Sequence, residues 1–187
     1  ICHEEGLPAG VFNVVTGPGG PLSDAMIKNP EVKVVSFTGS TAVGKKISDA
    51  CAATFKHSCL EMGGKNPVII MDDANLDLAI DGVLWGAFGT TGQRCTATSR
   101  LIIHKNVIGK FLPMVVERAK AIRVGNGLDE ANQMGPCVSE SQMKTVLEYV
   151  EIGKKDGAKL LCGGNRLTSG AHAKGWFVEP TVFTDVT

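Results

Sequence analysis

Neither sign of charge is in excess in this 187-residue sequence: nineteen Lys and Arg balance nineteen Asp and Glu, and no run of like charge stands out. A nucleic-acid partner needs a clustered basic face, so the composition argues against one. Long apolar runs are also absent. None approaches the roughly 18 residues that a membrane-spanning helix needs, which predicts a soluble chain with no membrane partner. The six cysteines (Cys2, Cys51, Cys59, Cys95, Cys137 and Cys162) form no C-x-x-C pair and no ligand-like spacing with histidine. No metal site is expected, and in a chain this long a disulfide framework is not expected either. Reduced thiols and a cytoplasmic location follow as expectations. The opening "ICHEEGLPAG" has no initiator methionine and no signal-peptide character. It reads as the end of a helix, with Gly6 and Pro8 after a charged turn, so the chain is expected to begin inside a longer protein. Internal repeats and low-complexity segments are missing.

What is present is ordinary globular material, 43% hydrophobic and 20% charged, enough to bury a core. "VFNVVTG" is a β-branched run stopped by "GPGGP", and predicts a strand and a turn. "LSDAMIKN" predicts a short helix ended by Asn29-Pro30. "VKVVSFTG" has the near-continuous apolar character of a parallel strand covered on both faces. The helix that follows shows Val43, Ile47, Ala50 and Cys51 at helical spacing. "NPVIIMDDANLD" predicts another buried strand, with Asp73 or Asn75 capping a helix whose apolar face carries Leu76, Ile80, Val83, Leu84, Ala87 and Phe88. "RLIIH" is a strand, and Ile108, Phe111, Leu112, Val115, Ala119 and Ile122 mark an amphipathic helix. A capping-box pattern from Ser139 to Gln142 opens one more helix, which closes at Gly157. "AKLLCGG" and "GWFVEPTVF" read as strands. This alternation is the grammar of an α/β fold with parallel sheets.

Three stretches could carry chemistry. In "FTGSTAVG", Gly39 lets a ligand approach the backbone, Ser40 offers a hydroxyl, and a helix N-terminus offers free N–H groups, a combination that suits a phosphate. A tight strand-to-helix turn with a Ser cap accounts for the same residues, and the G-x-G-x-x-G fingerprint is not met. In "TTGQRCTATS", Cys95 lies among small polar residues, where an accessible thiolate would be a nucleophile. A structural thiol is the alternative, and the better reading for Cys51, Cys59 and Cys162 in apolar settings. In "LEMGGKNP", Glu61 precedes Gly63 and Gly64. On a loop over a pocket it could serve as a general base made stronger by partial burial; a solvated turn glutamate is the plainer reading. His3, His57, His104 and His172 form no pattern with Cys95, so nothing local supports a Cys-His peptidase.

Together, "LEMGGKNP" and "FGTTGQRCTATS", with glutamate and cysteine in register and "FTGSTAVG" upstream, resemble the NAD(P)-dependent aldehyde dehydrogenase superfamily. The likeness extends from "GLPAGVFNVVTG" to "GWFVEPTVF". It implies an α/β fold made of parts of two parallel-sheet domains: the end of a Rossmann-like coenzyme domain over residues 1–63, and the start of a catalytic domain over 64–187. The resemblance implies oxidation of a small aldehyde to its acid, with NAD or NADP as cofactor. Cys95 would attack the aldehyde to form a thiohemiacetal and then a thioester, its own N–H helping to hold the oxyanion. Glu61 would activate the hydrolytic water. Gly39 and Ser40 would lie by the cofactor pyrophosphate, and Met62 and Gly63 by the nicotinamide. Phe88 would line the substrate tunnel, with Arg94 and Thr96 flanking the nucleophile. Arg94 could attract a carboxylate-bearing aldehyde or simply sit at the surface.

The complete family enzyme is more than twice as long, and is expected to be a homodimer or homotetramer. Its oxyanion asparagine, its ribose-binding lysine, the glutamate of its E-x-F-G-P segment and its oligomerisation arm have no counterpart in this sequence. An inactive fragment of such an enzyme is therefore the alternative function, prone to associate through uncovered sheet edges. A redox sensor using Cys95 alone is a third, but no resolving cysteine lies near it in sequence. "GQRCTATSR" resembles members that oxidise small carboxylated semialdehydes.

Overall fold

A computed structural model describes residues 1–186. The chain divides into two compact units, Ile1–Met62 and a second that starts at Gly63.

In the first unit, α1 (Gly19–Lys28) is followed by β1 (Val34–Gly39), α2 (Thr41–Ala52) and β2 (His57–Met62). The strands pair in parallel, with Val34 opposite His57 and Gly39 opposite Met62. Val35 and Phe37 of β1 and Leu60 of β2 pack on Ile27, Ile47 and Cys51. Both helices thus cover one face of the strand pair. The opposite face, with Val34, Ser36, His57, Cys59 and Glu61, is exposed. β1 is therefore covered on one face, not two, because every helix in this unit that packs on the strands takes the same side. Two further expectations change. Cys59 is exposed, since strand alternation turns it away from Leu60. "VFNVVTG" is irregular, with bends at both ends, and pairs with no strand among the described residues; Val11, Phe12, Val14 and Val15 are all exposed. A single run has no ladder partner for its N–H and C=O groups, so propensity alone does not make it a strand. The opening segment is a set of turns rather than a helix end.

The second unit begins with β3 (Asn66–Ile70), α3 (Leu76–Phe88), β4 (Thr98–Ile103) and α4 (Ile108–Lys120). β3 and β4 are parallel. Asn75, not Asp73, caps α3: its side chain accepts the Leu78 N–H at 3.1 Å. Ile70, Ile80, Val83, Phe111 and Val115 form the core. α4 continues through Pro113, which removes one helix hydrogen bond at about 3 kcal/mol. Burial of Phe111 and Val115 on either side, at 0% and 3% exposure, offsets that cost. α5 (Glu140–Lys155) starts as expected, with Ser139 Oγ accepting the Gln142 N–H at 3.2 Å, and its chain reverses at Gly157 with φ +90.

The C-terminal strands depart from the parallel expectation. β5 (Lys159–Cys162) pairs with β8 (Val182–Thr184) and β6 (Arg166–Leu167) with β7 (Phe177–Val178), both antiparallel. β6 and β7 are joined only by residues 168–176, fewer than the dozen or more that a parallel crossover needs.

Candidate functional site

In the first unit the register assembles the candidate cofactor residues at the carboxyl ends of β1 and β2. Thr38 lies opposite Glu61 and Gly39 opposite Met62, so Gly39, Ser40, Glu61 and Met62 share one sheet end. That is the end where open α/β sheets place their ligands. Glu61 stands in β2 rather than on a loop, and its carboxylate is exposed rather than partly buried. The polar alternation of "HSCLEM" hid this strand, because only Ser58 and Leu60 turn toward the helices.

Ser40 caps α2, its Oγ accepting the Val43 N–H at 3.3 Å. The cap satisfies one first-turn donor; among the described residues no acceptor takes the N–H of Thr41 or Ala42. These free amides and the positive end of a twelve-residue helix suit an anionic group. Two glycines stand here where no side chain would fit. A Cβ at Gly39 would come within 2.5 Å of the Phe37 ring, and one at Gly44 within 2.7 Å of Met62 Sδ. The residues present thus fit the pyrophosphate of a dinucleotide. Gly63 has open space where a Cβ would stand.

In the second unit Cys95 occupies the turn between α3 and β4 and is exposed. Its loop is tied on three sides. Asn66, the first residue of β3, donates from Nδ2 to the Cys95 carbonyl at 2.6 Å and to the Ala97 carbonyl at 3.3 Å. Gln93 accepts the Val138 N–H at 2.9 Å and donates to the Pro136 carbonyl at 3.4 Å. Thr91 Oγ1 donates to the Gly135 carbonyl at 3.0 Å. Thr91 and Gly92 both take positive φ, +56 and +66, which reverses the chain after α3. No acceptor among the described residues takes the Cys95 N–H. That amide is available to a developing oxyanion.

Arg94 is half-buried, its guanidinium 3.9 Å from the centre of the Trp85 ring and its Nη2 donating to the Trp85 carbonyl at 3.4 Å. It is therefore held by stacking rather than free at the surface. Its Nε is buried without an acceptor. Thr96 is exposed and Phe88 half-buried at the end of α3. Two surface concavities of the second unit, of about 250 and 570 Å³, lie beside Lys120 and along α4, and neither reaches Phe88 or Cys95. Asn66 and Gln93 are the site residues that sequence reasoning passed over. Their only signal was position inside the two motifs, and a side-chain bond to a distant carbonyl leaves no periodicity to read.

The sequence model of the aldehyde dehydrogenase family matches residues 1–187. An α-ketoglutaric semialdehyde dehydrogenase of Bacillus subtilis is 46% identical over 187 residues, covering 100% of this chain and 38% of that protein. A betaine aldehyde dehydrogenase of Brucella anthropi is 46% identical over 184 residues, covering 98% and 38%. The chain thus spans 38% of the length of these curated relatives. Among solved structures, a Staphylococcus aureus betaine aldehyde dehydrogenase with NAD+ and a BME-modified cysteine superposes with TM-score 0.94 at 38% identity, over 99% of this chain and 37% of that one. An NAD+ complex of a Bacillus cereus aldehyde dehydrogenase gives 0.92 at 42%, over 98% and 37%. The motifs around Glu61 and Cys95, the parallel strand pairs and these likenesses agree: the chain belongs to the aldehyde dehydrogenase family.

Proposed function

We propose that this chain carries the nucleophile, the general base and part of the dinucleotide cradle of an enzyme that oxidises an aldehyde to a carboxylic acid with NAD or NADP. The observation that carries the reading is the Cys95 loop, which exposes the thiol, fixes the loop carbonyls on Asn66 and leaves the Cys95 N–H unclaimed. A preorganised donor next to a nucleophile is what a tetrahedral oxyanion needs.

In this reading the Cys95 thiolate adds to the aldehyde carbon, and the carbonyl oxygen becomes an oxyanion held in part by the Cys95 N–H. When bound, a nicotinamide would supply the acceptor for the hydride leaving this carbon, and the acyl group would remain on Cys95 as a thioester. Glu61 takes a proton from water, the hydroxide attacks the thioester, and the acid departs as the Cys95 thiolate is restored. Gly39, Ser40 and the free amides of α2 would hold the pyrophosphate, with Met62 and Gly63 toward the nicotinamide. Phe88 and Thr96 would border the substrate. A carboxylated semialdehyde is the favoured substrate class, supported by the semialdehyde dehydrogenase among the relatives. A homo-oligomeric, cytoplasmic enzyme fits the same reading.

A second reading is that this stretch alone does not turn over. It is favoured by its 38% coverage of the relatives and by the exposed Val11, Phe12, Val14 and Val15. Reduced-cofactor absorbance from the 187-residue chain, with NAD or NADP and propanal or succinic semialdehyde, separates the two. Turnover that Cys95→Ala abolishes supports the enzyme, whereas no turnover supports the second reading. Turnover retained by Cys95→Ala would remove Cys95 from the mechanism.

A further inference from the structure

The side chain of Asn66 makes the only contact by which β3 grips the cysteine loop through a single functional group among the described residues. Its two partners are both carbonyls, on Cys95 at 2.6 Å and on Ala97 at 3.3 Å. Of the two ends of a carboxamide only the NH₂ can donate to two carbonyls, which fixes the end that faces the loop. Gly64 leaves room for the other end: a Cβ there would stand 3.4 Å from Asn66 Oδ1. Asn66 itself is anchored in the β3–β4 ladder opposite Thr98, so the bond ties the turn to a paired strand.

Capture of the Cys95 carbonyl sets the peptide that follows the nucleophile, and capture of the Ala97 carbonyl sets the chain two residues on. With the Ala97 N–H donating to the Arg94 carbonyl at 3.0 Å, these bonds close a turn over Cys95 and Thr96 and restrict the backbone dihedrals within it. One of those angles, the Cys95 φ, sets the direction of the Cys95 N–H relative to its Cβ. We infer that Asn66 is a positioning residue for Cys95, holding the loop so that the thiol and the backbone N–H converge on one acyl carbon. The inference rests on the reading of Cys95 as nucleophile. Asn66 touches neither substrate nor reacting atoms, and it acts through the loop alone.

Two reactions of the same thiol distinguish positioning from bare exposure. Alkylation by iodoacetamide is a direct displacement that needs only an accessible thiolate. Acylation by p-nitrophenyl acetate passes through a tetrahedral oxyanion and so also needs the N–H in place. Both are read by mass spectrometry on the Cys95 peptide of the 187-residue chain, with exposed Cys59 as the reference in the same molecule. In Asn66→Ala the ratio of acylation to alkylation at Cys95 is expected to fall about tenfold or more, as misplacing an oxyanion donor does. A ratio within twofold of the unsubstituted chain overturns the inference. A general loosening of the fold would raise or lower both reactions together and leave the ratio in place, which also counts against it. Asn66→Asp, which keeps the shape but loses the NH₂ donor, gives the same reading should the alanine variant fail to fold. If the unsubstituted chain is acylated no faster at Cys95 than at Cys59, the nucleophile reading itself falls and takes the inference with it. Acylation selective for Cys95 but indifferent to Asn66 overturns the inference alone.

Discussion

Gln93 and Val138 are joined across 45 positions of sequence: Gln93 Oε1 accepts the Val138 N–H at 2.9 Å, while Nε2 of the same carboxamide donates to the Pro136 carbonyl at 3.4 Å. The residue two before the candidate nucleophile thereby holds the segment that leads into α5. Gln93→Ala should lower stability by about 1 kcal/mol, the usual net worth of a side-chain to backbone hydrogen bond. Urea unfolding followed by circular dichroism gives the value. No change in midpoint would show that water replaces the carboxamide at no cost.

The Ser40 hydroxyl has two tasks in the proposed site, capping α2 and bordering the anion cradle. Ser40→Ala should cost about 1 kcal/mol through the lost cap, whereas Ser40→Gly should cost only a few tenths. Dinucleotide affinity, measured by fluorescence titration, should weaken in both variants if the hydroxyl contacts the cofactor. If only Ser40→Ala weakens it, the cap matters and the hydroxyl contact does not.

Gly163 has φ +75, and a Cβ placed there would collide with the Pro180 carbonyl. Neither the backbone angle nor the oxygen can yield cheaply, because β5 and β8 pair on either side of this point. Gly163→Ala is expected to destabilise the second unit by about 2–4 kcal/mol. By contrast, Gly157 also has a positive φ but open space around its missing Cβ. Gly157→Ala should therefore cost less, about 1 kcal/mol for the angle alone. Equal losses in thermal denaturation would contradict this distinction.

Burial pushes the thiols of Cys137 and Cys162 above the usual 9.0. A thiol held protonated in the fold keeps its proton where the unfolded chain has given it up. Stability is thus complete below about pH 9 and declines as the pH rises beyond it. The double variant Cys137→Ala, Cys162→Ala should show a shallower decline in urea midpoint between pH 8 and 10. In native alkylation near pH 8, Cys95 and Cys59 should label while Cys137 and Cys162 stay unmodified.

Phe111 has no exposed surface and lies at the centre of the core formed by β3, β4, α3 and α4. Phe111→Ala should cost about 3–5 kcal/mol, more than any surface change proposed above. A loss below 1 kcal/mol would mean that the helix holding Pro113 is not secured by this packing.

Local chemistry was legible in the sequence. The helices containing Ile47, Ile80 and Phe111 show in the apolar spacing, and Ser40 and Ser139 announce helix starts because a cap needs only three residues of context. The proposed roles of Glu61 and Cys95 come from motif resemblance rather than from periodicity.

Tertiary structure decided what depends on partners distant in sequence. Whether "VFNVVTG" becomes a strand depends on a ladder partner, and whether Cys59 is buried depends on which face the helices take. The antiparallel pairing of β5 with β8 depends on packing across the intervening residues 163–181. Above all, the setting of Cys95 is made by Asn66, bonded to the Cys95 carbonyl across 29 positions, and by Gln93, which ties the loop to Val138 across 45. A sequence states which groups can donate and accept, but only the folded chain brings a carboxamide within 2.6 Å of the carbonyl it holds.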